Sequence, residues 1–133
     1  MKFSCVSTTF FLILSLLTTH LYARDHLIYS VAEEIPMGFK DETTKRNYYI
    51  NMGANQGLKS GTTLNVYRSI SKLNPYDNQK RVNYKVEIGK LQVIHADDES
   101  AITIIKILND GLKTPLFEIN NFMIGDHVAV STN

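Results

Sequence analysis

Polar and apolar positions alternate with a period of two over most of this chain, most clearly where Val82, Tyr84, Val86 and Ile88 are set against Asn83, Lys85 and Glu87. Side chains two apart share one face of an extended strand, so this run predicts a half-buried strand with one wet face. Leu91 and Val93 resume the series beyond Gly89. An interior glycine between two such halves predicts a bulge or a sharp bend. Tyr48 and Ile50 against Tyr49 and Asn51, and Leu64 and Val66 against Thr63, Asn65 and Tyr67, predict two earlier strands. Ala101 to Leu108 carries isoleucine on both faces. That predicts a central strand covered on both sides, because a helix there would crowd β-branched side chains against the preceding turn. His127 to Val130, with Val128 and Val130 inward, predicts a last short strand.

The punctuation fits. Asn74-Pro75-Tyr76-Asp77-Asn78 reads as an exposed hairpin loop, Asn109-Asp110-Gly111 as a turn and Thr114-Pro115 as the opening of a loop. Leu27 to Val31 predicts one short strand. Pro36 and Gly38 then break it, and Asp41 to Arg46 is expected to be a mobile surface turn. Short strands at this spacing with no convincing helix predict an all-β fold, a small closed antiparallel barrel. The expected division is residues 24–47 as short strand and loop and residues 48–130 as the barrel domain.

Ahead of these lies a different pattern. Lys2 is followed by an apolar run from Phe10 to Leu17, and Leu21-Tyr22-Ala23 ends it with a small residue at the expected cut. This predicts a cleavable signal peptide over residues 1–23. The run is about half the ~20 residues that a bilayer-spanning helix needs. The expected destination is the periplasm, with no membrane span after cleavage.

Charge narrows the partners. Lys and Arg number 14 against 13 Asp and Glu, and Lys2 falls in the predicted signal, so the exported part is formally neutral. Neutrality argues against an electrostatic nucleic-acid binder and against a polybasic membrane patch. The only cysteine, Cys5, also lies in the signal. The fold must therefore be held by an ordinary apolar core, and ~110 residues suffice for one modest domain.

Candidate chemistry is sparse. Gly53, Gly57 and Gly61 are spaced by four between two predicted strands, with Lys59 and Ser60 beside them. A phosphate loop needs glycine directly before the lysine and a helix after it, whereas a strand follows here. These glycines are read instead as supplying positive φ at successive reversals, with Leu58 plugging the barrel end. His95 stands near Asp97, Asp98 and Glu99, and His127 follows Asp126, but neither set has a recognised metal-ligand spacing. No Gly-x-Ser-x-Gly elbow is present, and the expectation is a non-enzyme without cofactor or metal. Tyr49, Tyr67 and Tyr76, with Arg68 and Arg81, are the candidates for a partner-contact patch.

The run Tyr48-Tyr49-Ile50-Asn51-x-Gly53-x-x-x-Gly57-Leu58-Lys59-x-Gly61-x-x-Leu64-x-Val66-Tyr67-Arg68, then Ile88-Gly89-Lys90-Leu91-x-Val93, Ser100-Ala101 and Gly125-Asp126-x-Val128, resembles a known module. It is similar to the C-terminal domain of flagellar assembly protein T and related stand-alone exported bacterial proteins. The resemblance implies a small SH3-like barrel, with the asparagine–glycine run between its first two strands and Gly125-Asp126 introducing the closing strand. It also implies a non-enzymatic periplasmic structural or assembly role, docked on a larger envelope structure such as the flagellar basal body. The alternative is a module that binds peptidoglycan or another cell-wall polymer through exposed tyrosines.

Overall fold

The computed structural model describes residues 24–109, 115–116 and 119–132. The predicted signal peptide lies outside them, as does most of the Asn109-Asp110-Gly111 turn. Six strands follow in chain order: β1 (Ile28–Glu33), β2 (Arg46–Ile50), β3 (Thr63–Asn74), β4 (Lys80–Ala96), β5 (Ala101–Leu108) and β6 (His127–Val130). They form one antiparallel sheet in the order β1-β2-β5-β4-β3-β6. Among the described residues there is no α-helix, only a single 3₁₀ turn at Ala54–Gln56.

The sheet is not closed by a continuous ladder. Its two edges do meet at the isolated bridge between Leu27 and His127. There Ile28 N–H donates to Asp126 C=O at 3.0 Å, Gly125 N–H to Ile28 C=O at 2.9 Å and Val128 N–H to His26 C=O at 2.9 Å. Asn51 reinforces the seam, accepting from Leu27 N–H at 2.7 Å through Oδ1 and donating to Asp25 C=O at 3.1 Å through Nδ2.

The period of two explains the core. Tyr48, Ile50, Leu64, Val66, Leu91 and Val93 are buried as the alternation predicts, joined by Ile28, Leu58, Ile88, Phe122 and Val128. Val66 pairs with Gly89 but Tyr67 pairs with Glu87, so Ile88 is the extra residue of a bulge, as the interior glycine predicted. A Cβ on Gly89 would stand 2.3 Å from Ile107 C=O and 2.6 Å from the Phe122 ring. The glycine lets that ring seal the core.

Two expectations need correction. The domain boundary at Tyr48 has no counterpart: β1 pairs with β2 along its length, and Ile28 is fully buried, so residues before 48 belong to the same sheet. β5 is central in the pairing order but covered on one face only. Ile102 and Ile104 are half-exposed and Ile107 is exposed, because no second layer among the described residues packs on that face. Residues 41–45 are exposed, as the expected surface turn requires, and the turn makes hydrogen bonds of its own. The Glu42 carboxylate accepts the Met37, Gly38 and Phe39 N–H groups, and Glu34 N–H donates to Lys45 C=O at 3.0 Å.

Candidate interaction surface

The outer halves of β3 and β4 run beyond the rest of the sheet. β6 leaves β3 at Tyr67, and β5 leaves β4 at Gly89, yet β3 and β4 stay paired to Asn74 opposite Lys80. Among the described residues the result is a two-stranded arm with no further strand on either edge. The half-buried strand predicted over residues 82–88 is therefore buried only at its base. Val86 and Val82 are half-buried and Tyr84 is exposed, because β-sheet alternation puts them on one face but no core reaches that far. The tip is tightly turned. Tyr76 N–H donates to Asn74 Oδ1 at 3.0 Å, Lys80 N–H to Asp77 C=O at 2.8 Å, and Asn78 and Gln79 take positive φ.

Along one face of the arm Ile70 lies opposite Tyr84 and Lys72 opposite Val82. With Val86 and Pro115 this face lines a shallow groove of about 220 Å³. Leu73 lies on the other face and is 48% exposed, and Tyr76 at the tip is 98% exposed.

The five residues singled out as partner contacts do not form one patch, and Arg81 lies opposite Leu73 on the arm. Tyr76 stands alone at the tip. Tyr67 is half-buried on the outer face of β3, with Lys85 Nζ 5.0 Å from its ring centroid. Tyr49 is half-buried on β2, its ring 6.4 Å from that of Tyr29, whose hydroxyl lies 3.0 Å from Ser100 Oγ. Two strands separate Tyr49 from Tyr67. Tyr49 lies level with Ile102 and hence His95, while Tyr67 lies opposite Glu87, about 26 Å along β4.

Arg68 is the clearest correction. It shares the inward face of β3 with Leu64 and Val66, and its guanidinium donates to Asp126 through Nε at 2.9 Å and Nη2 at 2.8 Å. Nη2 also donates to Asn121 C=O at 3.1 Å, and Asp126 accepts Met123 N–H at 2.8 Å. The Asp126 side chain is 3% exposed and that of Arg68 21%. This pair pins the chain ahead of β6 to the root of the arm and is not a free contact. The Asp126 hydrogen bonds raise the Arg68 pKa, with burial opposing. Parity could have found this, since residue 68 continues the even-numbered inward series.

Two further groups are displaced from ordinary values. Arg46 is raised chiefly by its hydrogen bond to Glu33 and then by Tyr48, and Tyr48 is raised by burial, with Arg46 opposing.

The glycines divide into two kinds. Gly57 has φ of +85° with open space around it, so there the backbone conformation requires glycine; Gly61 and Gly125 also lie at positive φ. Gly53 does not, at φ of −145°. It is needed because a Cβ would stand 2.3 Å from Asp97 C=O and 2.7 Å from Ser100 N, where the loop docks on the β4–β5 turn. Ala54 N–H donates to Asp97 C=O at 2.7 Å and Asn55 N–H to Asp98 C=O at 3.0 Å. Leu58 is buried in the core.

His95 Nε2 lies 3.5 Å from Asp97 Oδ1 with both side chains well exposed, and among the described residues no group of three His, Cys, Asp or Glu is placed to hold a metal ion. No helix among them is long and apolar enough to cross a membrane. Compared with known protein families and with curated proteins, the chain shows no match.

Proposed function

We propose that this chain is a non-enzymatic structural or assembly module of the bacterial envelope, exported to the periplasm and docked on a larger assembly through its β3–β4 arm. The protruding arm carries the reading. A two-stranded ribbon is marginally stable by itself, and this one exposes Leu73, Tyr76 and Tyr84, with no further strand on either edge among the described residues. Exposed tyrosines and a free strand edge are the usual materials of protein recognition. The sheet body serves as a rigid support, and the contact between its edges supports reading it as an SH3-like barrel. The resemblance names the flagellar basal body as the candidate assembly.

The test is capture from envelope extract by the wild type and by Tyr76→Ala/Tyr84→Ala, matched for folding by circular dichroism. Loss of one specific protein band in the variant is expected. Equal capture by both removes the arm from the reading. Absence of protein capture together with retention on purified cell wall establishes the polymer-binding alternative instead.

A further inference from the structure

The loop between β1 and β2 holds the most exposed aliphatic and phenylalanine side chains among the described residues. Ile35, Met37 and Phe39 stand at alternate positions and are 81, 76 and 75% exposed. They project from a loop held in shape from within. Glu42 accepts Met37 N–H at 2.9 and 2.8 Å through its two oxygens, Gly38 N–H at 3.1 Å and Phe39 N–H at 3.4 Å. The backbone donors between the apolar side chains are therefore already satisfied. Carrying an unpaired amide into an apolar medium is costly, and here the N–H part of that cost is met at Met37, Gly38 and Phe39.

The loop and the arm leave the sheet at the same end. Ile50 lies opposite Ala101 and Tyr48 opposite Thr103, so the start of β2 points toward the Leu108 end of β5. Gly89 lies opposite Leu108, and the arm continues beyond it. Overall neutrality conceals how charge is distributed between the ends. The arm carries Lys72, Lys80, Arg81 and Lys85 against Asp77 and Glu87, and this excess still outweighs the loop, where Glu34, Asp41 and Glu42 face Lys40 and Lys45. Asp97, Asp98 and Glu99 stand together at the opposite end.

We propose that this end of the molecule seats on an anionic bilayer surface. Ile35, Met37 and Phe39 enter the boundary between headgroups and acyl chains, and the arm's cations lie over the headgroups. A fluid interface suits apolar side chains as exposed as Ile35, Met37 and Phe39. The cationic balance selects anionic lipid, with apolar insertion the larger contribution and attraction by the arm the smaller. The inference shares the arm with the protein-docking reading but rests on the apolar loop side chains, and its failure leaves that reading intact.

The experiment is cosedimentation of the chain beginning at Arg24, which contains every described residue, with vesicles of phosphatidylethanolamine and phosphatidylglycerol or of phosphatidylcholine alone. The wild type is expected to pellet with the anionic vesicles in preference to the neutral ones. Ile35→Ser/Met37→Ser/Phe39→Ser should lose about tenfold or more in partitioning at an unchanged urea midpoint. Lys80→Glu/Arg81→Glu should narrow the preference for anionic vesicles. Failure of the wild type to pellet, equal binding to neutral vesicles, or undiminished binding by the triple variant would each overturn the proposal.

Discussion

Replacing Arg68 with alanine removes two of the three hydrogen bonds to the Asp126 carboxylate and leaves that group, 3% exposed, without its counter-ion. Breaking a buried pair from one side costs about 3–5 kcal/mol, because the remaining charge keeps its desolvation penalty. Arg68 is itself 21% exposed, so water can reach the vacated space, and the expected loss is about 3 kcal/mol, the lower end of that range. The hydrogen bond from Arg68 to Asn121 C=O is lost as well, loosening the segment that places Phe122 over Gly89. With a urea slope of ~1–2 kcal/mol per M for a domain of this size, the midpoint should fall by about 1.5–3 M. Arg68→Met/Asp126→Leu should recover much of the loss, since neither partner is then left buried and charged. Urea melts of the two single variants and the double complete a cycle, and strong non-additivity is expected. An Arg68→Ala midpoint within about 0.3 M of wild type, on the same urea scale, would refute the buried-pair account and return Arg68 to the surface candidates.

Gly53→Ala should destabilise by about 2–4 kcal/mol through backbone collision with the β4–β5 turn, against about 1–2 kcal/mol for Gly57→Ala, where only positive φ is at issue; reversed urea midpoints would overturn the assignment. Tyr48 is held neutral by burial and its folded pKa is raised above the ordinary 10.0, so its contribution to stability is complete below that value and lost as pH rises through the folded one. Tyr48→Phe should accordingly flatten the alkaline decline in urea midpoint, and an identical decline would contradict this. Tyr76→Ala, at a side chain 98% exposed, should move stability by less than about 0.5 kcal/mol. Protein recovered from the envelope should begin at Arg24 by mass spectrometry, and a dominant species retaining Met1 would exclude cleavage after Ala23.

Much of the architecture is written locally. The period of two in Tyr48–Ile50, Leu64–Val66 and Leu91–Val93 determines which side chains can share an inward face, and Gly89 marks the bulge because only glycine tolerates the approach of Ile107 C=O and Phe122. Tertiary structure decided whether anything covers a face once it is formed. Val82, Tyr84 and Val86 continue the same alternation as Ile88, yet among the described residues the outer strand partners of β3 and β4 end at Tyr67 and Gly89, so the same pattern makes core at the root and a two-stranded arm beyond it. The isoleucines of β5 serve strand propensity equally well covered or bare. Arg68 and Asp126 are 58 residues apart, and Gly53 meets a carbonyl that lies in another turn. Neither encounter has a local signature, because each depends on which strands become neighbours. Alternation assigns a residue to a face; pairing order and strand length decide whether that face meets protein or solvent.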